Sequence, residues 1–137
     1  MNGGGIMFNE IKTENDIQNF IDKTNSLHDG YIVGVQYTND VITNVDENGY
    51  FTKPDASKLI LKILVTSISN TIVEIEFESL REWQLSNDAY FSMILDATVS
   101  FDDGGYITWS DSAKENQDNF EGCSYVTAKS MRWRIIK

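Results

Sequence analysis

The sequence predicts an α+β fold in which one N-terminal helix is followed by an antiparallel β meander of about six strands, curled as a barrel or a sandwich. Apolar residues recur at helical spacing only near the N-terminus, and from residue 31 onward they alternate with a period of two. The sequence shows no parallel βαβ rhythm, no internal repeat and no domain linker. We therefore expect a single domain over residues 1–137, with a flexible segment at 1–8.

The helix is predicted over about residues 13–25. Thr13 is a suitable N-cap, and Asp16 follows it at the third position of a capping box. The apolar residues at i, i+3, i+4 spacing are Ile17, Phe20 and Ile21. Leu27 is expected to extend this buried face beyond the end of the helix.

Four runs of alternating apolar residues predict strands. Their apolar positions are Tyr31, Val33, Val35 and Tyr37; Leu59, Leu61, Ile63 and Val65; Thr71, Val73, Ile75 and Phe77; and Phe91, Met93, Leu95, Ala97, Val99 and Phe101. In the third run Glu74, Glu76 and Glu78 occupy the opposite face, which is expected to lie in water. The fourth run is long for one strand, so we expect a bend or bulge within it.

Turn residues and a final strand complete the pattern. Asn48-Gly49 is a turn signal. A three-residue loop of Asp102, Asp103 and Gly104, with Gly104 left-handed, would pair Val99 with Ile107 and Ala97 with Trp109. Residues 110–122 are acidic and are expected to form a solvated loop. A last strand begins at about Ser124.

The last strand is expected to change its buried face part-way along. The apolar positions are Val126 and Ala128, then Met131, Trp133 and Ile135. This change of phase predicts a bulge near Lys129-Ser130.

Charge is distributed unevenly along the chain. The formal net charge is −10, and all 21 acidic residues lie at or before Glu121. The bases of the last nine residues are Lys129, Arg132, Arg134 and Lys137. This pattern favours a basic final strand that pairs with an acidic sheet; the alternative is a small nucleic-acid patch. Over the whole protein the negative charge repels phosphate backbones and anionic lipids, so neither nucleic acid nor a membrane is expected as a partner.

The cellular location follows from what the chain lacks. Its one cysteine, Cys123, cannot form an internal disulfide, and no apolar stretch approaches the length of a membrane helix. The first residues have neither the basic region nor the apolar run of a secretory signal. We therefore expect a soluble cytoplasmic protein.

The single histidine, His28, is the first candidate for chemistry. It could act as a general base or recognise a ligand. In an extended segment, however, Asp29 would point away from it, which favours a structural role for both residues beside Gly30. The acidic turn at 102–105 lacks the ligand spacing of a calcium loop. No catalytic residue, metal site or cofactor is predicted.

Aromatic residues offer a second candidate site. Trp109 and Trp133 are expected to pack inside the sheet. Alternatively, these two residues with Tyr31 and His28 could flank a pocket for a small ligand or for an unusual enzymatic reaction.

Three stretches carry a resemblance. They are Leu27-His28-Asp29-Gly30-Tyr31-Ile32, Ile107-Thr108-Trp109 and Ala128-Lys129-Ser130-Met131-Arg132-Trp133. Together they resemble small bacterial β-rich proteins of unknown function that begin with a hydrophobic-His-Asp junction. Some of those are similar to immunity proteins, which neutralise a cognate toxin. The resemblance implies a binding protein and carries no catalytic or binding residue across.

The favoured hypothesis is therefore a non-enzymatic cytoplasmic binding protein, of the immunity type, for a basic partner. The acidic patch expected to meet that partner comprises Glu74, Glu76, Glu78 and Glu82, because opposite charges accelerate encounter. A third hypothesis is a homodimer that pairs exposed strand edges.

Overall fold

The structure of the protein, a computed structural model, describes residues 7–40, 45–50, 52, 55–86, 93–111 and 123–137. Its elements are β1 (Asn9–Glu10), α1 (Glu14–Thr24), β2 (Gly30–Asn39), β3 (Ser57–Val65), β4 (Thr71–Gln84), β5 (Met93–Ile94), β6 (Thr98–Phe101), β7 (Ile107–Ser110) and β8 (Tyr125–Ile135). The strands form one antiparallel sheet in the order β5-β2-β3-β4-β8-β7-β6, with β1 beside β8. The predicted α+β class is confirmed.

The sheet is curled into a half-barrel. Its outermost strands, β5 and β6, are separated in sequence only by residues 95–97. Because an extended chain advances roughly 3.5 Å per residue, the two sheet edges lie within about 14 Å of each other at this point. The bend expected in the fourth apolar run is confirmed here. The assignment of Leu95 to its buried face is wrong: Leu95 is 62% exposed and its neighbour Ile94 is fully buried. Phe91 lies outside the described residues.

Helix α1 begins and packs as predicted. The Thr13 hydroxyl accepts a hydrogen bond from the Asp16 N–H, and the Asp16 carboxylate accepts one from the Thr13 N–H. Ile17 and Phe20 are buried against the inner face of the sheet, where the Phe20 ring meets Trp133 edge-on at 5.4 Å. Leu27 is fully buried beyond the helix, as expected.

Strand β2 departs from its predicted alternation. The register between β2 and β3 shifts between Ile32 and Gly34, so Val33 is an extra residue. Ile32 faces the core, whereas Tyr31 lies on the outer face opposite Leu64. The expectation that Tyr31, Val33, Val35 and Tyr37 share one face of the strand is therefore wrong, because a bulge changes the face on which later side chains lie.

The β6–β7 hairpin has the predicted three-residue loop, displaced by one residue. Val99 pairs with Trp109, and the left-handed residue is Gly105, with φ 84°. The Asp102 carboxylate accepts hydrogen bonds from the N–H groups of Gly104 and Tyr106, both at 2.9 Å, which makes Asp102 the last residue before the loop. The carboxylate of Asp46 makes the equivalent bonds at the predicted Asn48-Gly49 turn.

Strand β8 changes its buried face as predicted. Val126 and Ala128 are buried, Lys129 and Ser130 are exposed, and Met131 is buried again. The accompanying register shift lies between Leu80 and Glu82 of β4 rather than on β8. Of the predicted solvated loop, residues 112–122 lie outside the described residues.

Candidate functional site

Two glutamates of β4, Glu74 and Glu76, are buried in ion pairs. Glu74 and Glu76 are only 8% and 4% exposed. Arg134 Nε donates to Glu74 Oε2 at 2.6 Å, Arg132 Nη2 lies 2.7 Å from Glu76 Oε2, and Lys58 Nζ lies 2.9 Å from Glu76 Oε1. The predicted pairing of the basic last strand with the acidic sheet is confirmed. The expectation that Glu74, Glu76 and Glu78 lie in water is wrong for Glu74 and Glu76, because long cationic side chains from the neighbouring strands cover them, whereas the side chain of Glu78 is 47% exposed.

The ion pairs of Glu74 and Glu76 with Lys58, Arg132 and Arg134 are here called the ladder. The N-terminal segment packs on the outer side of this ladder. The guanidinium groups of Arg132 and Arg134 lie 4.0 and 4.3 Å from the centre of the Phe8 ring. Phe8 therefore packs on the protein, although residues 1–8 were expected to be flexible; residues 1–6 lie outside the described residues. Burial alone would raise the pKa of Glu76, but hydrogen bonds from Lys58 and Arg132 outweigh it and hold the pKa below its ordinary value.

A shallow cleft of about 50 Å³ opens beside the ladder. Its lining residues are Glu10, Glu76, Glu78, Ser130, Met131 and Arg132. Its carboxylates already have cationic neighbours, since Glu78 lies 3.9 Å from Lys58 and Glu10 lies 3.2 Å from Lys12. Within the described part of the chain, no three histidine, cysteine or acidic side chains are grouped so that they could hold a metal ion.

Glu82 is separated from the other glutamates by the register shift in β4. It accepts a short hydrogen bond from the hydroxyl of Tyr125. This bond, followed by burial, raises the pKa of Tyr125 to about 12. Glu82 itself is exposed. The four glutamates predicted as one binding patch therefore do not form a single patch. Glu74, Glu76 and Glu78 lie beside cationic side chains, whereas Glu82 occupies a separate, exposed position.

His28 lies at the junction between α1 and β2, beside the linker that joins β5 to β6. Its Nδ1 is 2.6 Å from the carbonyl oxygen of Leu95 and 3.4 Å from Asp96 Oδ1, and its Nε2 is 3.6 Å from Asp29 Oδ2. The Leu95 carbonyl, followed by the charges of Asp29 and Asp96, raises the pKa of His28 above its ordinary value.

The expectation that Asp29 points away from His28 is wrong. Asp29 is left-handed, with φ 58°, so the pair is not extended. Asn25, Ser26 and Leu27 are left-handed too, with φ of 53°, 56° and 52°. For Leu27, which has no polar side chain to bond locally, this conformation costs about 1–2 kcal/mol.

Hydrogen bonds hold this strained junction in place. The hydroxyls of Ser67 and Thr66 donate to the carbonyls of His28 and Asp29 at 2.7 and 2.9 Å. The Ala97 N–H donates to the Ser26 carbonyl at 2.7 Å. The junction therefore fastens the linker that brings the two edges of the sheet together.

The predicted aromatic pocket is not formed. Trp109 and Trp133 are 0% and 2% exposed and belong to the core, where Trp109 packs against Phe77. Tyr31 lies on the outer face, and its hydroxyl is 3.3 Å from the Met93 sulfur. The two indoles pack in the core on the inner face of the sheet, as the favoured interpretation expected. They therefore do not share a pocket with Tyr31 and His28.

The structure instead exposes apolar side chains at the margin of the core. Val33, Val35, Tyr37 and Trp83, here called the β2 strip, are 56%, 50%, 48% and 37% exposed. Val35 and Tyr37 lie opposite Leu61 and Leu59, both fully buried on β3. The Tyr37 and Trp83 rings are 5.5 Å apart. Sequence reasoning missed this surface because the same alternation is typical of a core strand.

Acidic residues border the β2 strip, whereas β2 itself, from Gly30 to Asn39, has no charged residue. Asp29 and Asp40 immediately precede and follow the strand. An apolar centre with a charged border is the usual anatomy of a protein–protein interface, and tyrosine and tryptophan are enriched there.

No protein-family model matches the chain, and neither does any curated protein or solved structure. Among the described residues, no helix combines the length and the apolar character that a membrane crossing requires.

Proposed function

We propose that this protein is a non-enzymatic binding protein that captures a basic protein partner on the β2 strip. The observation that carries the proposal is the half-exposure of Val33, Val35 and Tyr37 on a strand without charged residues. Apolar groups grouped at a surface and bordered by polar residues commonly mark a binding site. Trp83 adds a second aromatic anchor of the kind that dominates binding energy.

The net charge supports a basic partner. The chain has a formal net charge of −10, and Asp29 and Asp40 border the strip. A field of this sign accelerates the approach of a positively charged protein and weakens as salt is added. Glu74 and Glu76 contribute to the field only in part, because their charges are matched by Arg134, Arg132 and Lys58.

Within this function we place the protein among immunity-type proteins of the cytoplasm, with a basic toxin as the partner. The support is the resemblance of the stretches at 27–32, 107–109 and 128–133 to bacterial proteins of that kind. A single cysteine in the whole chain is consistent with a reducing compartment.

The test compares captured partners between matched variants. Wild type, Val35→Ser/Tyr37→Ser and the control Tyr50→Ser are immobilised, and lysate of the source organism is passed over each at low and high salt. Tyr50 is 72% exposed and lies in the Asp46 turn, so the control removes a comparable aromatic ring elsewhere.

The proposal expects a basic protein in equimolar amount on wild type and on Tyr50→Ser, released by salt and absent from the double variant. The purified protein should then reproduce this pattern in titration. Equal retention of every captured protein by the double variant would contradict the proposal.

A further inference from the structure

We infer that the partner binds by adding a β-strand to the free edge of β2, a mode of recognition that rests on the proposed function. On one side β2 pairs with β3 from Gly30 to Asn39. On the other side, within the described ranges, it pairs only with β5, at Gly30 and Tyr31. The edge from Val33 to Thr38 therefore has no strand partner among the residues that the structure describes.

The register shows which backbone groups point to this edge. The Asp40 N–H donates to the Ala56 carbonyl at 3.1 Å, and Asn39 lies opposite Ser57. Asp40 and Ala56 are thus a hydrogen-bonded pair, and such pairs alternate along an antiparallel ladder. It follows that Val35 and Tyr37 direct their N–H and C=O groups away from β3. Two residues of the strip, Val35 and Tyr37, therefore also direct their backbone groups to the free edge.

The sequence of this strand contains none of the residues that usually prevent edge pairing. Edge strands are commonly guarded by charged residues, especially lysine, or by proline, and neither occurs between Gly30 and Asn39. The one irregularity is the register shift between Ile32 and Gly34. From Gly34 to Thr38 the pairing with β3 is regular, which leaves a template on which an incoming strand can form backbone hydrogen bonds.

Charge selects an extended basic segment of another protein over a second copy of this chain. If two copies paired antiparallel about Val35, the end of each β2 at Asp40 would be directed toward Asp29 of the other copy, beyond the Gly30 and Tyr31 pairing with β5. Two chains that each carry −10 would also repel each other. A strand with alternating apolar residues, flanked by lysine or arginine, meets the strip and both bordering aspartates.

The test is selection from a phage library of random peptides of about ten residues, roughly the length of a long strand. Wild-type protein is the bait, with counter-selection on Val35→Ser/Tyr37→Ser. Binding of enriched peptides is then compared between Val35→Pro and the control Val35→Ala. Proline at position 35 lacks the backbone N–H that points to the free edge. Because this N–H makes no hydrogen bond to β3, the pairing of β2 with β3 is kept in the isolated protein. Both substitutions remove the valine side chain.

Strand addition expects enriched peptides with alternating apolar residues and basic ends, bound about tenfold more weakly by Val35→Pro than by Val35→Ala. Peptides N-methylated at alternate residues should lose binding to wild type, a measurement that does not depend on the folding of any variant. Failure to enrich any peptide overturns the inference.

Two further outcomes separate this inference from the proposed function. Peptides that tolerate both the proline and N-methylation, yet are lost with Tyr37→Ser, overturn strand addition and leave the β2 strip as the binding surface. A selection without the counter-selection that yields only peptides binding Val35→Ser/Tyr37→Ser as tightly as wild type overturns both.

Discussion

The rings of Tyr37 on β2 and Trp83 on β4 pack together with centroids 5.5 Å apart and planes inclined by 31°. These strands are separated by β3 in the sheet, so the contact spans the concave side of the curl. Both side chains remain partly exposed, at 48% and 37%. The pair therefore forms a preorganised aromatic surface that loses little conformational freedom when a partner covers it.

Removing either ring should weaken partner binding. Tyr37→Ser or Trp83→Ser is expected to cost about 2 kcal/mol, typical of an aromatic anchor, or roughly a 30-fold rise in Kd. Tyr50→Ser, which changes an exposed ring outside the strip, should leave Kd unchanged. Titration calorimetry with the captured partner measures all three. Equal effects of Tyr37→Ser and Tyr50→Ser would contradict the assignment.

Glu76→Gln should destabilise the fold. The substitution leaves Lys58 and Arg132 without their shared carboxylate at a position that is 4% exposed. Breaking such a pair costs about 3 kcal/mol, near the lower end for buried ion pairs, because the two cations keep contact with water. Urea unfolding measures the loss. Glu47→Gln, on an exposed turn, is the matched control and should change the unfolding free energy by less than about 0.5 kcal/mol.

Two glycines of β2 should respond differently to alanine. A Cβ on Gly30 would lie 2.7 Å from the Leu27 carbonyl oxygen and 3.0 Å from Ile63 Cγ2, whereas at Gly34 the nearest atom, Lys62 Cβ, is 3.4 Å away. Gly30→Ala is expected to cost about 1–3 kcal/mol through overpacking. Gly34→Ala should be neutral or stabilising by up to about 1 kcal/mol. Thermal unfolding of the two variants checks this order, and similar melting temperatures would refute it.

His28 should make stability depend on pH near neutrality. Its pKa in the folded state is raised above 6.5, first by the Leu95 carbonyl and then by Asp29 and Asp96. The stabilisation of the fold by protonated His28 is therefore complete below pH 6.5 and is lost as the pH rises through the folded-state pKa of His28.

The measurement is the difference in unfolding free energy between wild type and His28→Gln over a pH series. This difference should shrink as the pH rises through the histidine window. A difference that stays constant from acidic to alkaline pH would show that protonation of His28 contributes nothing to the fold.

Local signals in the sequence predicted the elements well where one physical effect dominates. The capping box of Thr13 and Asp16 marks the start of α1, and the alternation from Thr71 to Phe77 marks β4. The basic residues Arg132 and Arg134 were correctly expected to pair with the acidic sheet. Each of these depends on neighbours in sequence or on simple charge complementarity.

The candidate site was less predictable because it depends on strand order and on one bulge. The extra residue Val33 changes which β2 side chains face the core, and nothing local marks it. Likewise, the burial of Glu74 and Glu76 follows from Lys58, Arg132 and Arg134 on both adjacent strands, which only the order β3-β4-β8 brings together. Alternation identifies the two faces of a strand, but it does not say what covers each face.

Amide hydrogen exchange of β2, with and without the captured partner, tests the central claim most directly. In the isolated protein the amides of Val35 and Tyr37 should exchange quickly, while those of Gly34 and Gln36, bonded to β3, exchange slowly. With the partner bound, the two fast amides should become protected. Protection of Val35 and Tyr37 in the isolated protein, or unchanged exchange in the complex, would contradict an open edge that serves as the binding surface.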